Sequence, residues 1–329
     1  MLALPRQDIK RLVPMNDAIE LMKLAFGALS AGRTESPLRT VITVDESHGD
    51  ALFMPAFVPD QSALGIKVVS VFGENSGRGL PVIHALVVLL DPSTGQPVAL
   101  MDGTYLTALR TGAVAGAATD LLARPDSRVL TVIGPGAQGV TQIAAVCAVR
   151  PIERVIVVGR EGTNFTPFLG RLENDWPDLV GRVETTTDAA LAVSSADVVS
   201  CATNSRTPVF EDAAVQPGTH INAVGAYTPE MQEIPEATVK RARIVVDAVE
   251  AALAEAGDLL QPLAAGLIDR ERLSVELGML VNGSAEGRTT ADEITFFKSV
   301  GNAVQDVVVA KHAVDRARDL GIGTELTLD

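Results

Sequence analysis

Residues 128–139 read RVLTVIGPGAQG, and this stretch decides the fold. Arg128–Ile133 is a short apolar run closed by glycine, which predicts a buried strand. Gly134, Gly136 and Gly139 then fit G-x-G-x-x-G, and Gln138–Val149 continues as an alanine-rich helix. Each glycine has its own reason in such a strand–turn–helix. The first permits a tight turn, the second lets the backbone approach a pyrophosphate, and the third lets the helix pack closely on the strand. The free N–H groups at the helix start, with the positive end of its dipole, complete an anion site. The stretch predicts a dinucleotide-binding domain.

On its C-terminal side the same rhythm continues. Strands are expected at Arg154–Val158, Val183–Thr185, Asp197–Ala202, Ile221–Val224 and Ile244–Asp247, and helices near Phe165–Glu173 and Asp188–Val193. Alternating strand and helix predicts an α/β doubly wound parallel sheet of Rossmann type. Ala291–Leu320 is expected to be mostly helical.

On the N-terminal side the pattern changes near residue 120. A helix over residues 14–31, with Asn16 as its cap, precedes strand-like runs at Thr40–Val44, Ala51–Phe57, Leu64–Phe72, Val82–Leu90 and Pro97–Met101. Consecutive strands without intervening helices predict an antiparallel or barrel-like first domain, and Thr104–Leu122 a helix leading out of it. A chain of 329 residues accommodates two such domains.

The net charge of −14 argues against nucleic acid and anionic membranes as partners. A small anionic substrate stays open, because local cations can override the global field. Cys147 and Cys201 form neither a metal-spaced motif nor a disulfide framework, and no metal site is expected. The opening residues MLALPRQDIK lack the apolar core of a signal peptide, and Val82–Leu90 is too short to span a bilayer. A cytoplasmic protein is expected.

Candidate chemistry rests on a few cations. Arg39, Lys67 and Arg110 stand in apolar or strand-like surroundings, where an unpaired charge is costly. They can form a carboxylate pocket or be surface charges on half-exposed strands, and the residues alone leave both readings open. Where many NAD-binding folds place an acidic residue, after the second strand, the chain has Gly159 and Arg160. An arginine suits a 2′-phosphate, so NADP(H) is expected in preference to NAD(H). Glu161, one residue later, keeps NAD(H) open. His84 is expected in the core or at its rim.

Taken together, GIKVVSVFGENSGRGLP (65–81), DGTYLTALRTGAVAG (102–116), VIGPGAQG (132–139), INAVGAYTPEMQEIP (221–235) and FKSVGNAVQD (297–306) resemble the ornithine cyclodeaminase/mu-crystallin family over nearly the whole chain. The resemblance implies a substrate-binding and homodimerising α+β domain from residues 1–118 plus 303–329, and a Rossmann domain from 119–302. It implies that Arg39, Lys67 and Arg110 hold a substrate carboxylate and that Val300 touches the substrate. It implies cofactor contacts from Arg110, Thr111, Ala137, Gln138 and Thr203, from Val224, Gly225, Ala226 and Tyr227 beside the nicotinamide, and from Ser299. These join the glycine turn and the Gly159–Arg160 pair.

One departure bears on the reaction. Cyclodeaminases of this family carry a proton-moving Asp in the loop after the INAVG strand, where this chain has Ala226 and Tyr227. A phenol, with an ordinary pKa near ~10, is a poor base at neutral pH. The resemblance with this departure points to an NAD(P)H-dependent reductase of a cyclic imino acid, with Lys67 and Tyr227 as candidate catalytic residues. The competing readings are an alanine-type amino-acid dehydrogenase, an ornithine cyclodeaminase and a crystallin-like NADP-binding protein without turnover.

Overall fold

The computed structural model describes residues 1–327. The chain divides into two compact units, residues 1–110 with the segment from Asn302 onward, and residues 111–301. The helix Gly103–Leu122 belongs partly to each.

The first unit is built on one sheet. Its strands are β1 (Leu2–Leu4), β2 (Thr40–Val44), β3 (Gly49–Val58), β4 (Ala63–Phe72), β5 (Ile83–Leu90) and β6 (Pro97–Asp102), with the C-terminal Thr324–Glu325 at one edge. The order runs from that edge through β1, β6, β5, β4 and β3 to β2. Pairing is antiparallel from β2 to β6, as the consecutive strands predict, but β1 joins β6 in parallel. Period-two alternation gives the sheet two faces. On one, Leu52, Met54, Val58, Val87, Leu89 and Met101 are buried; the helix Ala303–Leu320 packs on β3, β4 and β5, and the helix Met15–Ser30 packs on that helix. The other face carries Phe53, Ile66 and Val68, with Ile42 53% and Leu86 51% exposed. His84 lies exposed on that same face.

Helix ends follow local chemistry. Asn302 caps Ala303–Leu320 in a capping box with Gln305, and Gly321, at φ 64°, closes it in the left-handed region. The helix expected at 14–31 runs from Met15 to Ser30, but its cap position is Pro14 and Asn16 lies inside the first turn.

The second unit is a parallel sheet of β7 (Val129–Ile133), β8 (Arg154–Val158), β9 (Val183–Thr186), β10 (Val198–Cys201), β11 (His220–Ala223), β12 (Arg243–Val246) and β13 (Thr295–Lys298). The order β12-β13-β11-β10-β7-β8-β9 makes it doubly wound, reversing between β7 and β10. Leu130, Val132, Val155, Val157 and Val198 pack on Val140, Ile143, Phe168 and Leu172 of the helices Ala137–Val149 and Thr166–Asp175.

Ala291–Leu320 is mostly helical, as expected, through the helix Ala303–Leu320, but its first part holds a strand that was not expected, Thr295–Lys298, which forms β13. All four residues of β13 are buried between β11 and β12, and a short apolar run of that kind has no period that separates strand from helix. No helix among the described residues is long and apolar enough to cross a membrane.

Candidate active site

The glycine turn leaves the C-terminal end of β7. Gly134 has φ 108°, and a Cβ there would lie 2.6 Å from the Ala202 carbonyl oxygen. A Cβ on Gly139 would lie 2.5 Å from Gly134 O and 3.2 Å from the Phe168 ring, so this glycine lets the helix close on the turn. Gly136 differs: nothing lies within 4 Å of its would-be Cβ. It caps Ala137–Val149 without any side-chain hydrogen bond, leaving the first-turn N–H groups to a ligand. Gln138 has its Oε1 buried here with no hydrogen-bond partner. Open space and unclaimed N–H donors fit a dinucleotide pyrophosphate.

Apart from Thr111, the other expected cofactor residues of this unit follow the ends of successive strands along the same edge of the sheet. Gly159 and Arg160 follow β8, and the exposed Arg160 receives the Thr163 N–H at its carbonyl, 3.0 Å away. Thr111, in the helix Gly103–Leu122, is buried and accepts from Gln142 Nε2 at 3.3 Å. Thr203 follows β10 and Val224–Tyr227 follows β11; Thr203, Gly225 and Ala226 all bond to Glu233. Beyond β13, Ser299 Oγ donates to Asp247 Oδ2 at 2.7 Å, and the Val300 N–H donates to the same oxygen at 2.9 Å.

The cations of the first unit form a second cluster. Alternation on β4 turns Ala63, Gly65, Lys67 and Val69 toward the core, so Lys67 takes a position made for an apolar side chain and is 1% exposed. Its Nζ lies 2.7 Å from Asp306 Oδ2. Asp306 Oδ1 accepts from Arg110 Nε at 3.1 Å, and Gln305 Oε1 accepts from Arg110 Nη1 at 2.9 Å. The capping box of the helix Ala303–Leu320 therefore also orients Arg110. Gly65 lets that helix come close, since a Cβ there would meet Val307 Cγ1 at 3.3 Å.

Burial and the neighbouring Arg110 pull the Lys67 pKa down to about 7, with Asp306 opposing and Arg39 adding to the fall. Sequence reasoning named the cations but not Asp306. The available signal was the rule that a buried lysine needs an anion, with Asp306 the acid in the otherwise uncharged AVQDVVVA. Glu233, Asp258 and Lys298 were also missed.

A model of the ornithine cyclodeaminase/mu-crystallin family matches residues 2–321. The chain belongs to this family. It is 40% identical over 329 residues to a Δ1-pyrroline-2-carboxylate reductase of Bacillus cereus, covering 99% of both chains. Among solved structures, the Δ1-pyrroline-2-carboxylate reductase of Thermococcus litoralis in complex with NADH and L-proline superposes with a TM-score of 0.93 at 40% identity, covering 99% of this chain and 100% of that one. An archaeal alanine dehydrogenase dimer with bound NAD gives a TM-score of 0.90 at 33% identity, covering 100% and 99%.

Proposed function

We propose that this protein is a nicotinamide-dependent oxidoreductase that reduces the C=N bond of a cyclic imino acid of the Δ1-pyrroline-2-carboxylate class, giving a cyclic amino acid such as proline. The observation that carries this reading is the buried Lys67–Asp306–Arg110 cluster. The charges acting on Lys67 are those of Arg110, Arg39 and one carboxylate, an excess of cations suited to a small carboxylate substrate. Full-length similarity to reductases of this class supports it.

In this reading Arg39 and Arg110 pair with the substrate carboxylate, and Val300 contributes an apolar contact. Lys67, with a pKa near neutrality, gives the imine nitrogen its proton as the C=N bond becomes C–N. When bound, a reduced nicotinamide would supply the hydride that the imine carbon takes up. Gly134, Gly136, Ala137, Gln138 and Gly139 would hold the pyrophosphate. Thr203, Val224–Tyr227 and Ser299 would hold the nicotinamide end, and Arg110 and Thr111 further parts of the dinucleotide. The cyclodeaminase reading is disfavoured by the loop itself. Ala226 and Tyr227 bring no carboxylate, and the buried acid beside it, Glu233, is committed to four hydrogen bonds.

We further infer a preference for NADPH from Arg160, whose guanidinium is exposed beyond β8. A homodimer formed through the apolar outer face of the first sheet, and a cytoplasmic location, complete the reading. The deciding experiment follows nucleotide oxidation with Δ1-pyrroline-2-carboxylate, using NADPH and NADH in parallel. Rapid oxidation, faster with NADPH, is expected. No oxidation with either cofactor overturns the reading. Ammonia-dependent oxidation with pyruvate would then indicate a dehydrogenase, and proline from ornithine without net redox change a cyclodeaminase.

A further inference from the structure

The loop after β11 has little of its own to hold it. Gly225 has no side chain and Ala226 only a methyl, yet Ala226 is fully buried. What holds the loop is Glu233. Its Oε2 accepts from Gly225 N at 2.8 Å and Ala226 N at 2.9 Å. Its Oε1 accepts from Thr203 N at 2.6 Å and Thr203 Oγ1 at 2.8 Å. One carboxylate thereby ties the chain leaving β10 to the chain leaving β11, two adjacent parallel strands.

Glu233 is held in turn. Its own N–H and that of Ile234 donate to Asp258 Oδ1 at 2.6 and 3.0 Å. Asp258 Oδ2 lies 2.7 Å from Lys298 Nζ, and the same ammonium donates to the Ala226 carbonyl at 2.5 Å. Ala226 is gripped at both ends of its backbone, through its N–H by Glu233 and through its carbonyl by Lys298. A Cβ at Gly225 would run into the Thr203 backbone and Glu233 Oε1, so only glycine fits there. Thr203 in turn abuts the glycine turn, because a Cβ on Gly134 would meet Thr203 Cγ2 at 3.0 Å.

Two carboxylates and one ammonium, all fully buried, are an expensive way to fill a core, since well-packed apolar residues serve stability as well or better. This network ends on backbone segments at the carboxyl edge of a parallel sheet, beside its switch point, where such sheets bind ligands. Resting on the reading of the Gly134–Gly139 turn as a nucleotide site, we propose that Glu233, backed by Asp258 and Lys298, is a positioning residue. It sets the spacing between that turn and the Thr203 and Gly225–Ala226 backbone that receives the nicotinamide end of the cofactor.

The test separates the two ends of the cofactor. Binding of the reduced dinucleotide that the unaltered chain prefers, and of its ADP-ribose fragment lacking the nicotinamide, is measured by calorimetry for the wild type and Glu233→Gln. The amide places an NH2 group against a backbone N–H. We expect it to weaken the intact dinucleotide by about tenfold or more and the fragment by less than about twofold. Equal weakening of both probes, or of neither, overturns the proposal. A wild type that binds neither probe defeats the nucleotide reading and the inference with it. Should Glu233→Gln not fold, amide exchange in the unaltered chain decides. The intact dinucleotide must slow exchange at Thr203, Gly225 and Ala226 well beyond the fragment; equal protection by both overturns the inference.

Discussion

Lys67 shows what a single buried cation does to a site. Its protonated form is opposed by burial and by two arginines and favoured only by Asp306, which is why it titrates near 7. If the protonated form delivers the proton, kcat/KM is level below about pH 7 and falls as pH rises through it, because this ratio reports the free enzyme. Lys67→Met should lose that descending limb together with about 10²-fold or more of the rate. A variant keeping both would remove Lys67 from the chemistry. Tyr227→Phe is the companion measurement. With Lys67 as donor, the phenol contributes packing and the loss stays under about tenfold, whereas a loss of about 10²-fold would transfer the donor role to Tyr227. Arg160→Ser should lower the ratio of NADPH to NADH efficiency by about tenfold, through loss of a charge-assisted contact to the 2′-phosphate. An unchanged ratio would leave Arg160 a solvated loop residue.

At the scale of the element, the strand–turn–helix from Val129 to Val149 separates structural from ligand-facing glycines. Gly136 has open space and ordinary backbone angles, with φ −92°. Gly136→Ala should fold with a Tm within about 2 °C of wild type, yet bind dinucleotide at least about tenfold more weakly, since the methyl stands where backbone must approach phosphate. Gly139→Ala has no such freedom, because its methyl would be forced against Gly134 O, and thermal stability should fall instead. If both variants lose only binding, the two glycines share one role. These elements were legible because their signals are local: a β-branched run, a fixed glycine spacing and an alanine-rich helix. β13 was not legible, because Thr-Phe-Phe-Lys is too short to carry a period and is a strand only by virtue of β11 and β12 on either side.

For the whole molecule, the first sheet leaves Ile42 and Leu86 half exposed on a face shared with Phe53, Ile66 and Val68. A contiguous apolar patch left exposed in this way marks an interaction surface. Leu86→Asp, or Ile42→Asp, should shift the sedimenting species from a dimer toward the 34.4 kDa monomer, while a wild type that sediments as a monomer would refute the dimer. The amino-acid sequence by itself determined the alternating second unit, the antiparallel run of the first, the glycine turn and the three cations, because propensity, period and motif spacing act over a few residues. Only the tertiary structure decided which acid answers each buried charge. Asp306 reaches Arg110 across 196 residues and Asp258 reaches Lys298 across 40, and Glu233 gathers donors from the ends of two separate strands. Such partners are chosen by strand order and by the close approach of a helix to a sheet, and the need to neutralise a buried charge says that a partner exists without saying where along the chain it lies.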